Sequence, residues 1–129
     1  MILDRDILIA LLKGEKDADK AMERLEQNGE CAATTMLTAY ELLRGAYISS
    51  NPQKNLAEVQ DLLANLEVLD LTLQACEEAS KIYRDLRKTG RLIGEYDTLI
   101  AAIAKTNAET VMTRDTHFKL IIGINVTDW

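Results

Sequence analysis

Short apolar runs alternate along this chain with stretches of three-and-four apolar spacing, and that alternation permits few architectures. Ile2-Leu3 is an apolar pair halted at Asp4, the pattern of a short buried strand that delivers an acid at its carboxyl end. A helix follows, starting near Ile7, and the spacing of Ala18, Ala21, Met22 and Leu25 predicts further helix. Asn28-Gly29 ends it, because glycine accepts the left-handed conformation found there. Cys31 to Thr35 reads as a second strand and Met36 to Ser49 as a helix with Leu37, Tyr40, Leu42, Leu43 and Tyr47 as its apolar contacts. Beyond Pro52, the residues Leu56, Val59, Leu62, Leu63 and Leu66 mark a helix, Val68-Leu69 a third strand, and Leu73 to Lys88 a long helix closed by Gly90. Asp97 to Asn107 is again helical, Thr110 to Thr113 a strand and Ile124 to Val126 a last short one. Strands separated one by one by helices pair in parallel, so the expected fold is α/β, a mostly parallel sheet covered by helices on both faces.

No linker, repeat or low-complexity tract interrupts the 129 residues, and one domain spanning 1–129 is expected. No apolar run approaches the roughly 20 residues that cross a bilayer. The start, Met1-Ile2-Leu3-Asp4, lacks the basic, apolar and small-residue zones of a signal peptide, which makes a cytoplasmic protein the expectation. Cys31 and Cys76 are too few for a disulfide framework. With His117 as the one histidine they do not make a zinc site, so both cysteines are expected as small core residues. The formal charge of −6 argues against nucleic-acid binding through bulk charge, but not against a nuclease whose cations offset its own carboxylates.

In an open parallel sheet the site lies beyond the carboxyl ends of the strands. Asp4 and Asp115 follow the first and fourth strands, while Glu41 and Asp97 lie on helices after strand-to-helix connections. If those two strands are neighbours, the four acids converge. Carboxylates about 5 Å apart repel by roughly 3 kcal/mol per pair at an effective dielectric near 20, so such a cluster needs a cation or shared protons. Hard Mg²⁺ or Mn²⁺ suits an all-oxygen donor set, and such a site suits phosphodiester hydrolysis. Each acid also has a plain structural reading. Asp4 and Asp6 fit helix caps, Thr38-Ala39-Tyr40-Glu41 fits a capping box, Asp97 fits a helix-dipole acid and Asp115 a turn residue.

Four segments together resemble a family, the PIN domains, and within it the VapC-type toxins of toxin–antitoxin pairs. Ile2-Leu3-Asp4-Arg5-Asp6-Ile7-Leu8-Ile9 with Leu12-Lys13-Gly14 is similar to the first acidic motif and Thr38 to Gly45 to the second. Ile93 to Ala102 is similar to the third, and Thr113 to Phe118 with Gly123 and Val126 to the fourth. The resemblance covers almost the whole chain. It implies a PIN-like three-layer domain with a five-stranded parallel sheet, and Mg²⁺ or Mn²⁺ held by Asp4, Glu41, Asp97 and Asp115, with Asp6 and Thr113 in support. It also implies endonucleolytic cleavage of structured RNA such as tRNA or rRNA, and inhibition by a small cognate VapB-type antitoxin. A homodimer that receives the antitoxin peptide in a groove leading to the acids is expected with it. A bare domain favours the toxin over a ribosomal-RNA-processing enzyme.

Arg5 departs from the motif, which carries Thr or Ser there. Its guanidinium cannot accept a hydrogen bond. It is expected either to turn to the opposite face or to pair with Asp4 or Asp6 and weaken cation binding, and it is the one feature that favours a silent binding module on the same fold. Lys13, Arg44, Arg114 and Lys119 lie in or beside the acidic motifs and are candidate phosphate contacts, while Arg84, Arg87, Lys88 and Arg91 read as a solvated helix face. His117 is expected to pack and hydrogen-bond without a catalytic role, and Trp129 carries no signal. Asp4-Arg5-Asp6 also resembles the nucleophile motif of HAD-type phosphatases. Leu8 stands where those carry Thr or Val, and Asp97 and Asp115 would have no part to play.

Overall fold

Five short strands, Ile2–Leu3 (β1), Ala33–Thr35 (β2), Glu67–Leu69 (β3), Thr110–Met112 (β4) and Asn125–Thr127 (β5), form one sheet in the order β3-β2-β1-β4-β5. Every pairing is parallel, with Ile2 opposite both Ala33 and Val111, and Leu3 opposite Met112. The computed structural model describes residues 1–129. Six helices connect the strands: Arg5–Leu12 (α1), Lys16–Gln27 (α2), Met36–Tyr47 (α3), Pro52–Ala64 (α4), Leu73–Lys88 (α5) and Glu95–Thr106 (α6). A 3₁₀ helix at Thr116–Leu120 precedes β5.

The pleat sends successive side chains to opposite faces, and this divides the interior in two. Ile2 and Val111 face a core built with Ala75, Ile82, Leu86, Ile100, Ile103 and Phe118, from α5, α6 and the 3₁₀ helix. Leu3 and Met112 face the other core, with Ile7, Leu8, Ala21, Leu25, Leu42 and Val59, from α1 to α4. Helices therefore cover both faces of a wholly parallel sheet. Gly29, at φ +67°, turns the chain out of α2 after its C-cap Asn28, and Gly90, at φ +68°, does the same after α5.

Several boundaries differ from the sequence reading for identifiable reasons. Helix α1 begins at Arg5 rather than near Ile7, because the Asp4 side chain accepts from Arg5 N–H and caps it. Helix α4 begins at Pro52, capped by Asn51, a polar first turn that apolar periodicity does not register. Helix α6 starts at Glu95, ahead of Asp97. The cysteines are not core residues: Cys31 is exposed, lying ahead of β2, and Cys76 is half-buried on α5. No helix is long and apolar enough to cross a membrane.

Candidate active site

The chain leaves β1 for β2 and β3 on one side of the sheet, then returns for β4 and β5 on the other. The connections thus diverge between β1 and β4, which opens a crevice at their carboxyl ends, the place where parallel sheets hold ligands. Asp4 is the residue after β1, and its backbone N–H extends the ladder by donating to Met112 C=O at 3.1 Å. Its buried carboxylate accepts from Thr113 Oγ1 at 2.7 Å and from Arg5 N–H at 2.8 Å. Burial still holds the Asp4 carboxyl above its ordinary range, against the downward pull of those two hydrogen bonds.

Thr113 and Asp115 come from the end of β4. The Thr113 hydroxyl also accepts from Asp115 N–H at 2.9 Å, so one small side chain ties the first acid to the loop bearing the last. Asp115 Oδ1 caps the 3₁₀ helix through His117 N–H at 2.9 Å and lies 3.0 Å from His117 Nδ1. Asp97 reaches the same crevice from the first turn of α6. Its carboxyl is pushed up to about 6, first by burial and then by the neighbouring Asp115 and Asp4 charges. Glu41 arrives from α3, whose N-cap is Thr35, accepting from Thr38 N–H at 3.2 Å. The capping box read from Thr38 to Glu41 does not form, and Glu41 faces the cleft instead.

Asp4, Glu41, Asp97 and Asp115 line one open cleft of about 330 Å³, together with Arg5, Asp6, Ile9 and Tyr96. Asp97, Asp115 and His117 bring ligand atoms within 4.8 Å of one another. The donor set is carboxylate-rich, which fits a hard divalent cation, and burial followed by the anionic neighbours raises Asp97. Asp6 accepts from Arg114 N–H at 2.7 Å and from Ile7 N–H at 2.7 Å, so it braces the loop after β4.

Arg5 follows neither expected course. It pairs with Glu41, its Nη1 donating to Oε2 at 3.1 Å, because it is already the first residue of α1 and its side chain projects across to α3. His117 is exposed at the rim, bonded to Asp115, while Phe118 does the packing. Of the four phosphate candidates, none lines the acid cleft. Lys13 lines the adjoining groove, Arg44 lies over the Tyr40 ring at 5.1 Å, and Lys119 is exposed on the 3₁₀ helix. Arg114 is engaged internally by Asp128 at 3.1 Å, by the Trp129 carbonyl, and by the Trp129 ring at 3.7 Å.

Trp129 was not legible in the sequence. Its indole Nε1–H donates to Asp6 Oδ1 at 3.3 Å, so an aromatic residue remote in sequence supports the first motif. Tyr96, which also lines the cleft, carried one usable signal, its place beside Asp97 in a first helical turn.

Comparison with known proteins matches residues 1–123 to the PIN domain model. The chain is 33% identical over 129 residues to the tRNA(fMet)-specific endonuclease VapC of Salmonella typhimurium, covering 99% of this chain and 96% of that one. It is 30% identical, with the same coverages, to a Ribonuclease VapC of Haemophilus influenzae. Among solved structures, DNA-bound VapBC from Salmonella typhimurium superposes with a TM-score of 0.89 at 32% identity, over 99% of this chain and 96% of that one. The wholly parallel sheet, the acids at its switch point and these matches over nearly the full length agree, and the chain belongs to the PIN-domain family.

Proposed function

We propose that this chain is a divalent-metal-dependent endoribonuclease, the toxin of a type II toxin–antitoxin pair. The observation that carries the reading is the convergence of Asp4, Glu41, Asp97 and Asp115 on one open cleft at the β1/β4 switch point. Asp4, Asp97 and Asp115 are the residues to hold Mg²⁺ or Mn²⁺, with Glu41 the fourth. When bound, such an ion supplies an activated water and offsets the charge that develops on the phosphodiester. The protein's own part is placement. Thr113 fixes the orientation of Asp4 and the position of Asp115, Asp6 clamps the loop between them, and Asp97 retains a proton until the pH passes about 6.

Structured RNA, a tRNA or rRNA, is the proposed substrate, supported by relatives named as a tRNA(fMet)-specific endonuclease and as a ribonuclease. The proposed partner is a VapB-type antitoxin, as in the similar VapBC complex. The groove for it is lined by Ile9, Leu12, Leu42 and Val59 and shares Arg5, Ile9 and Glu41 with the acid cleft. Exposed Met36, Tyr40 and Tyr47 on α3, with Ile48 just beyond it, supply apolar surface for a homodimer. Cytoplasmic action as one folded unit follows from this role. The test is to incubate the purified chain with total tRNA and rRNA, with Mg²⁺ or Mn²⁺ and with EDTA. Metal-dependent discrete fragments that vanish in Asp97→Asn support the reading, and intact RNA under every condition overturns it.

A further inference from the structure

Arg5 is the one cationic side chain among those lining the acid cleft. Its guanidinium makes a single hydrogen bond, to Glu41, and keeps most of its N–H donors free. The ion pair is unequal, the Arg5 side chain being 54% exposed and that of Glu41 13%. A pair so open to water on one side is worth at most about 1 kcal/mol, so a better-matched anion replaces it at little cost. Arg5 also lines the adjoining groove, which sets it where the two depressions meet.

A phosphodiester offers what this guanidinium lacks, two anionic oxygens spaced for a bidentate contact. The surrounding carboxylates repel that same phosphate, by roughly 3 kcal/mol for a unit charge at 5 Å and an effective dielectric near 20, so a fixed positive charge within the cleft has a definite use. The arrangement does not favour a guanidinium seated in the cation's place. Asp4 and Asp6 are already engaged by Thr113, Arg114 N–H and Trp129, and Arg5 bonds to neither through its side chain.

We propose that Arg5 forms a phosphate subsite inside the acid cleft: on RNA binding its guanidinium exchanges Glu41 for the scissile phosphodiester, which frees Glu41 to join the other three acids. The inference rests on the nuclease reading above. No covalent bond changes in the exchange. It makes Arg5 the residue through which substrate entry completes the carboxylate set, so that the full set assembles only when RNA is present.

The experiment compares wild type, Arg5→Gln and Arg5→Lys for binding a fluorescein-labelled RNA stem–loop by anisotropy in EDTA across a salt series, and for single-turnover cleavage at saturating Mn²⁺. Arg5→Gln is expected to bind about tenfold more weakly, with a log–log salt slope smaller by about 1, and to cleave more slowly although its Glu41 is free. Arg5→Lys keeps the wild-type slope but not the full affinity, because an ammonium lacks the planar fork. Unchanged RNA binding in Arg5→Gln, or faster cleavage by it, overturns the subsite and leaves the nuclease reading standing. RNA binding that depends on Arg5 in a wild-type protein that cuts nothing overturns the nuclease reading and leaves the subsite standing. A wild-type protein that does not bind the stem–loop overturns the subsite.

Discussion

The hydroxyl of Thr113 donates to the carboxylate of Asp4 at 2.7 Å across the central strand pair, between residues 109 positions apart in the chain. Both groups are buried, so neither has water to fall back on. Replacing Thr113 by Val keeps the shape and removes the donor. The expected result is a loss of about 1–3 kcal/mol in unfolding free energy by urea titration, the usual cost of a buried acceptor left unpaired. Thr113→Ser, which keeps the hydroxyl, is expected to retain most of both stability and activity.

The raised Asp97 carboxyl makes stability depend on pH with a defined sign. In the folded chain it titrates near 6, against an ordinary value of 3.8, so the native state binds this proton more tightly than the unfolded chain does. Between about pH 4 and 6 the metal-free protein should therefore lose stability as pH rises. Asp4, also raised, acts in the same direction. Melting temperatures in EDTA across this range are the check. Asp97→Asn should flatten the slope and melt higher than wild type at pH 7.

Protons and cations compete for the same oxygens, so Mn²⁺ affinity measured by calorimetry should fall as the pH drops below about 6. At pH 7.5 and about a hundredfold excess over Kd, Mn²⁺ should add roughly 2.7 kcal/mol to the unfolding free energy. Asp97→Asn and Asp115→Asn should each lose most of that gain, and at least about a hundredfold in cleavage rate. A wild-type melting curve that Mn²⁺ does not move would remove the carboxylate cluster from consideration as a cation site.

Trp129 joins Arg114 by ring stacking at 3.7 Å and Asp6 by its indole N–H at 3.3 Å. Trp129→Phe keeps the ring and loses the donor, whereas Trp129→Ala loses both. We expect Trp129→Ala to cost about 1–2 kcal/mol, more than Trp129→Phe, and to reduce cleavage by less than Asp97→Asn does. Urea titrations of the two variants beside their cleavage rates separate support of the loop from participation in the site.

Much of the fold was legible because its signals are local. Ile2-Leu3 before Asp4 shows a strand end, and Asn28-Gly29 shows a helix end, each within a few residues. Asp4 and Asp115 were legible because each follows a strand, whereas Glu41 lies within α3 and Asp97 on a helix that follows α5, and these two stood out only through the resemblance of their segments to the PIN motifs. What sequence did not show depends on direction and distance. Arg5 pairs with Glu41 on a different helix because α1 begins two residues earlier than periodicity suggests, and that shift decides which way its side chain points. The cap of α3 sits at Thr35 rather than Thr38, a three-residue displacement between two threonines that the pattern treats alike. Cys31 reads as core only if its strand starts there, and β2 starts two residues later, at Ala33. Trp129 has no periodic neighbours, and nothing near it announces the contact with Asp6.

The central strand β1 has as its neighbours β2, about thirty residues on, and β4, more than a hundred residues on. A ribosome releasing this chain from its N-terminus exposes Asp4 at once but leaves one flank of β1 uncovered until residues 110–112 emerge. The carboxylate cluster also needs Asp97 and Asp115, so no nascent chain that stops short of residue 115 contains it. Pairing across so long a separation is also slow to nucleate. A site built in this order carries its own delay: its four acids come together only after the chain has been made through residue 115.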